Sequence, residues 1–184
     1  MENWVVKVGK PAYESIKEMV RALTRETAAE DFAESLPYEK CVKILIENNF
    51  FDPVDDREEI EGIQRRSVDV LRQEIANGLA EDTIDIDDFE FDEDEARQRI
   101  EEDALSVEVR SDWHTPGGEA EDDEYRILLS TGGPATRIIG ELDQHNEPAT
   151  ARLEVQDWWK PWTEYTVADQ DILLQYVNVF YWGG

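Results

Sequence analysis

The stretch "EYRILLSTGGPATRIIGEL", residues 124–142, decides the fold class of the C-terminal half. Runs rich in aliphatic and β-branched side chains lie on either side of a Thr-Gly-Gly-Pro sequence. Such runs are typical of β-strands, and Gly and Pro between them indicate a turn. We therefore predict two antiparallel strands joined by a turn at residues 131–134.

Two further runs extend this hairpin in both directions along the chain. "LSVEVRS" (105–111) precedes it, before a "TPGG" turn signal, and "ATARLEVQDW" (149–158) follows it after "DQHNEP". In the last run Leu153 and Val155 alternate with polar residues, which is the period of a half-buried strand. We predict a four-stranded antiparallel meander packed by a terminal helix in "DQDILLQYVNVFYW" (169–182).

The first half of the chain has the apolar spacing of helices. Three segments share it: "PAYESIKEMVRALT" (11–24) with Pro11 at its entrance, "YEKCVKILIENN" (38–49) and "DDREEIEGIQRRSVDVLRQEIANG" (55–78). The fold class that follows is α+β. Its predicted parts are a helical N-terminal part (residues 1–80), an acidic connector (81–103), and the meander with its helix (104–184).

Charge limits the partners that the protein can have. Of the 184 residues, 45 are acidic and 18 basic, for a formal net charge of −27. The apolar fraction of 40%, which includes six tryptophans, is too large for a disordered chain, so we expect a folded protein with an acidic surface. Such a surface repels nucleic acids and anionic membranes and attracts basic proteins.

The connector concentrates this charge. Its sequence, "EDTIDIDDFEFDEDEARQRIEED", holds thirteen carboxylates and two arginines. The brief alternation of Ile84, Ile86, Phe89 and Phe91 predicts an extended segment anchored by apolar side chains, and a short helix is expected after Asp92. A solvated linker is the alternative. If the segment is anchored, these acids are the predicted partner-binding residues: Asp82, Asp85, Asp87, Asp88, Glu90, Asp92, Glu93, Asp94 and Glu95.

Two other clusters are candidate binding residues. "EAEDDE" (119–124) is a second acidic group, and "QDWWKPWTEY" (156–165) is dense in the aromatic residues that dominate protein interfaces. Aromatic packing under the last helix is the alternative for the second. The residues predicted from these clusters are Glu121, Asp122, Asp123, Glu124, Trp158, Trp159 and Trp162.

Sequence motifs for catalysis and cofactor binding do not occur. The chain has no nucleophile-elbow, phosphate-loop, dinucleotide-binding or zinc-protease motif, and the connector fails the calcium-loop pattern. The single cysteine, Cys41, lies in an apolar run where a small core side chain is expected. We expect no catalytic residues, cofactor or resident metal, no direct binding of nucleic acid or membrane, and a location in the host bacterial cytoplasm. The oligomeric state is not predicted.

Parts of the sequence resemble a group of small acidic proteins encoded by phages, prophages and plasmids of proteobacteria. The segments that carry the resemblance are "ESIKEMVRAL" (14–23), "LSVEVRSDW" (105–113), "ILLSTGGPATRIIGEL" (127–142), "LEVQDWW" (153–159), "PWTEY" (161–165) and "LLQYVNVFYWG" (173–183). The resemblance implies a mobile-element setting, in which small acidic proteins often inhibit host defence, as anti-restriction and anti-CRISPR proteins do. It implies no catalytic residue.

Charge and resemblance together predict a non-enzymatic anti-CRISPR protein. It would bind the basic DNA-gripping surface of a CRISPR effector complex through acidic groups and exclude target DNA. The first alternative is a mobile-element partner-binding or regulatory protein that acts through its tryptophan-rich C-terminal surface. An enzyme with an acidic metal site and a toxin or antitoxin component are further alternatives.

Overall fold

The computed structural model describes residues 3–49, 56–111 and 122–182. Within these ranges the chain forms seven α-helices and five β-strands: α1 (Trp4–Arg21), α2 (Arg25–Ser35), α3 (Tyr38–Asn48), α4 (Arg57–Gln64), α5 (Val68–Ala80), α6 (Glu93–Asp103), β1 (Ser106–Ser111), β2 (Asp122–Ser130), β3 (Ala135–Glu141), β4 (Arg152–Gln156), β5 (Thr163–Glu164) and α7 (Gln170–Val177). The predicted α+β class is confirmed.

The chain divides into two compact units. The helical unit is contiguous and covers Arg21–Glu93, whereas the sheet unit combines Met1–Val20 with Asp94–Gly184. Helix α1 therefore groups with the sheet and not with the four helices that follow it.

The helical unit has a core in which α5 packs against α2 and α3. Leu45, Leu71 and Ile75 are fully buried there. Cys41 is also buried, so its expected place as a small core side chain is confirmed, and burial raises the pKa of its thiol. Arg72 ties the helices together, because its guanidinium donates two hydrogen bonds, 3.0 and 2.6 Å long, to the carbonyl oxygen of Leu36.

Helix boundaries in this unit differ from the predicted ones in two places. The single helix expected over residues 55–78 is two helices, because Ser67 takes an extended backbone and caps α5 by accepting the N–H of Val70. Helix α2 was not predicted, since it buries only Ala29 and Ala33 and so has little apolar periodicity. Its start is marked instead by Thr24, which accepts the N–H of Thr27 at 3.3 Å.

The sheet is an antiparallel meander with strand order β1-β2-β3-β4-β5. The four predicted strands are present, and a fifth of two residues pairs with β4. Ile127, Ile138 and Leu153 lie side by side across β2, β3 and β4 and are fully buried. This apolar face packs against α7, whose Tyr176 and Val177 are also fully buried. The predicted terminal helix is therefore present, but it ends at Val177 and does not continue to residue 182.

Helix α1 packs beside the end of the sheet. It begins at Trp4, so Pro11 lies inside the helix and not at its entrance as predicted. Proline at that place removes one backbone hydrogen bond of the helix. Tyr13 accepts the backbone N–H of Asp169 at 2.9 Å, and Gly9 lies so close to Tyr165 that a Cβ atom would meet the ring at 2.5 Å.

Candidate functional site

The first part of the acidic connector is attached to the helical unit by apolar side chains. Ile84, Ile86 and Phe89 are half-buried and pack against the core of that unit. The Phe89 ring lies 5.3 Å from the ring of Phe32, and the guanidinium of Arg25 lies 5.6 Å from its centroid. Three of the four predicted apolar anchors are confirmed, whereas Phe91 is not among the described residues that pack against this core. The backbone is irregular where an extended segment was expected, and a turn at residues 87–88 absorbs the break in the apolar alternation.

Hydrogen bonds hold the same part of the chain between the apolar anchors. The backbone N–H of Asp85 donates to Oδ1 of Asn48 at 2.9 Å. Asp82 pairs with Arg25 at 2.6 Å, and Asp88 pairs with Lys40 at 2.9 Å. The hydrogen bond from Lys40, together with its charge, lowers the pKa of Asp88. These contacts fix the connector along the surface of the helical unit from Asp82 to Phe89.

The acidic side chains of the connector point into solvent. The predicted residues are all exposed: Asp82, Asp85, Asp87, Asp88, Glu90, Asp92, Glu93, Asp94 and Glu95. Among the described residues, Asp85, Asp87 and Glu90 make no side-chain hydrogen bond or ion pair. Asp103, at the end of α6, is half-buried and accepts the Tyr176 hydroxyl at 2.8 Å, so it serves the fold of the sheet unit.

The second acidic cluster is only partly described. Glu121 lies outside the described residues, and so do the side chains of Asp122 and Asp123, whose backbone belongs to β2. Glu124 is described, and its carboxylate accepts a 2.6 Å hydrogen bond from Nε of Arg110 on β1. One predicted partner-binding acid is thus engaged in an ion pair within the sheet.

The three predicted tryptophans lie at one end of the sheet and have different surroundings. Residues 157–160 form a turn in which the N–H of Lys160 donates to the carbonyl of Asp157 at 2.9 Å. Trp158 and Trp159 occupy the middle of this tryptophan turn and are 64% and 99% exposed. Trp162 is half-buried, and its ring lies 4.1 Å from the guanidinium carbon of Arg137.

Backbone geometry shapes the tryptophan turn. Trp159 has a φ of +65°, a left-handed conformation that is uncommon for any residue other than glycine. Trp158 lies over Gly133 of the β2–β3 turn, where φ is +86° and a Cβ atom would come within 2.6 Å of the indole. Only glycine therefore allows both the turn at residue 133 and this position of Trp158.

The open face of the sheet carries four arginines that the sequence reasoning did not combine. The pairing of the strands places all four on the side of the sheet opposite the apolar core: Arg110, Arg126, Arg137 and Arg152. Arg126 pairs with Glu108, Arg110 pairs with Glu124, and Arg137 pairs with Glu154 at 2.6 Å. The available signal was the two-residue alternation of "VEVRS", "YRI" and "TRI", which puts each arginine on the polar side of its strand.

A groove of about 590 Å³ lies between two of these arginines and the tryptophan turn. Arg126 and Arg137 line its sheet side, and Trp158, Trp159 and Trp162 line the other. Its walls thus combine aromatic rings with ion pairs, which is the composition of protein-binding hot spots.

The described residues include no group of three or more histidine, cysteine or acidic side chains placed to hold a metal ion. In the same ranges, none of the helices is long and apolar enough to span a bilayer. Against protein-family models, curated proteins and solved structures the chain gives no match.

Proposed function

We propose that this protein is a non-enzymatic inhibitor that binds the basic, DNA-gripping surface of another protein or complex. The observation that supports it is the attachment of the connector, whose exposed carboxylates lie on a segment fixed by Ile84, Ile86 and Phe89. Acids on an ordered segment lose less conformational entropy on binding than acids on a flexible tail. Basic side chains that normally contact phosphates form charge-assisted hydrogen bonds with such carboxylates.

The finer form of the proposal is an anti-CRISPR protein. The sequence resemblance suggests a mobile genetic element, and a CRISPR effector complex grips target DNA with a positively charged channel. Occupying that channel with carboxylates excludes DNA by competition and requires no reaction. The net charge of −27 also increases the rate of encounter with such a channel.

Three acids allow a clean test, because they make no partner contact within the described protein. The variant D85N/D87N/E90Q removes three charges and breaks no internal ion pair. Exposed ion pairs contribute about 0.2–1 kcal/mol each, so we expect affinity for the effector complex to fall by about tenfold. Binding is measured by surface plasmon resonance and by competition with labelled target DNA.

The matched control removes the same number of negative charges at sites outside the connector. Glu18, Glu147 and Glu164 are exposed and make no side-chain contact among the described residues, so E18Q/E147Q/E164Q should bind nearly as the parent does. A salt titration should also show steep loss of affinity for the parent. If D85N/D87N/E90Q and E18Q/E147Q/E164Q bind the effector complex with equal affinity, the connector is not the contact surface.

One observation favours a second candidate, a partner-binding or regulatory protein that acts through the tryptophan turn. A ring that is 99% exposed, as that of Trp159 is, adds nothing to the core. If this surface carries the binding alone, affinity changes little with salt and D85N/D87N/E90Q binds as tightly as the parent does.

A further inference from the structure

Trp159 occupies a position that its own side chain disfavours. The middle of the tryptophan turn needs a left-handed backbone, which glycine adopts freely and a bulky residue does not. Its ring is almost wholly in solvent, so no packing offsets this disadvantage. Neither the backbone nor the packing of the described fold favours a tryptophan at this position.

Other tryptophans of the sheet unit show which contact this surface favours. The guanidinium of Arg137 lies over Trp162 at 4.1 Å, and the ammonium of Lys160 lies over Trp4 at 4.4 Å. Each ring thus already holds a cation of this chain. Within the described residues, no cation lies over Trp158 or Trp159.

The charges in the groove allow a cation to approach. Arg126 and Arg137 are paired with Glu108 and Glu154, so the groove has no excess positive charge to repel it. Asp157 contributes a carboxylate to the same turn, and its pairing with Lys160 is long, at 3.7 Å. A guanidinium stacked on an indole can replace Lys160 as the partner of that carboxylate.

We propose that Trp159, with Trp158 beside it, is an anchor for an arginine side chain of the basic partner. Trp has the most favourable ring for a cation, and arginine stacks on aromatic faces more readily than lysine does. The acidic surface of the chain selects the same class of partner by charge. This inference rests on the proposed function, because it assumes the same basic partner. The tryptophan contact itself does not require the carboxylates of the connector.

The test uses a fluorescein-labelled nona-arginine peptide, with nona-lysine for comparison. Binding is measured by anisotropy at about 0.05 M and about 0.3 M salt, because the higher salt screens long-range attraction. We expect Trp159→Gly to lower affinity for nona-arginine at least tenfold at both salt concentrations, and to change affinity for nona-lysine less. Trp159→Phe should keep most of the affinity, since an aromatic face remains.

Controls separate this anchor from folding and from the connector. Glycine suits the left-handed backbone, so Trp159→Gly should unfold at the same temperature as the parent or above it. Tyr181→Ala removes another exposed ring of the sheet unit and should leave peptide affinity unchanged. Parent-like affinity of Trp159→Gly for nona-arginine would overturn the inference, and so would a dimer of the parent that this substitution converts to a monomer.

The inference and the proposed function fail in different ways. Full affinity of D85N/D87N/E90Q for the effector complex, with weakened nona-arginine binding by Trp159→Gly, would exclude the connector as the contact surface and leave the arginine anchor standing. Full affinity of Trp159→Gly for nona-arginine, with weakened binding of the effector complex by D85N/D87N/E90Q, would exclude the anchor and leave the connector standing.

Discussion

Removing the Phe89 ring tests whether the connector must be held in place and not merely charged. Phe89→Ala leaves every carboxylate present but deletes the contacts with Phe32 and Arg25. Half-burial of the ring contributes about 1 kcal/mol, the ring pair about 0.5–1.5 kcal/mol and the cation contact about 0.5–1 kcal/mol. Attachment of the segment should therefore weaken by about 2–3.5 kcal/mol.

Hydrogen exchange at Asp85 measures this loss. Its amide donates to Asn48, so it is protected only while the segment is attached. A loss of about 2–3.5 kcal/mol corresponds to roughly 30- to 300-fold faster exchange. Affinity for the basic partner should fall as well, because the carboxylates must then be ordered on binding.

Phe91→Ala is the matched control for this experiment. Phe91 lies two residues away and is half-buried, but it is not among the described residues that pack against the core of the helical unit. The exchange rate at Asp85 should therefore stay near that of the parent. Unchanged exchange at Asp85 in Phe89→Ala would refute the idea that this ring fixes the connector.

Three further substitutions test the packing of the two units. Gly9→Ala should lower the free energy of unfolding by about 1–3 kcal/mol in urea titrations, because its methyl group would meet the Tyr165 ring; an unchanged midpoint would contradict this close approach. Arg72→Ala should lower the free energy of unfolding by about 1.5–3 kcal/mol in thermal unfolding, since the carbonyl of Leu36 loses both guanidinium donors and, among its described donors, keeps only the weak one from the Cys41 thiol. Burial raises the pKa of Tyr125, whose hydroxyl donates to the carbonyl of Thr150, so the contribution of this tyrosine to stability should be constant below about pH 10 and be lost as the pH rises above it. Burial raises the pKa of Tyr176 as well, so Tyr125→Phe should remove part of that decline, and an equally steep decline would exclude Tyr125 as a cause.

Strong periodicity made much of the fold predictable from the sequence. The alternation in β4 and the Gly-rich turn between β2 and β3 predicted strands that the structure confirms. Helix α2 lacked such a signal because two small alanines fill its buried face. The entrance of α1 was misplaced because packing against Tyr165 overrides the usual effect of Pro11.

The candidate site was predictable in composition but not in geometry. Apolar residues among the acids indicated an anchored connector, and the tryptophan cluster indicated an aromatic surface. Nothing local indicated that Asp82 and Asp88 would be paired with Arg25 and Lys40, which lie far away in the sequence. The left-handed backbone of Trp159 was also hidden, since it occurs at a residue that normally avoids that conformation.

The discontinuous sheet unit determines the order in which the chain can fold during synthesis. Helix α1 leaves the ribosome before the sheet does, and Tyr13 meets its partner Asp169 only after another 156 residues have been added. At about 5–20 residues per second this takes roughly 8–30 s, during which the apolar side of α1 is uncovered. The contiguous helical unit can fold in that interval, whereas the sheet unit closes only when its last helix has been made.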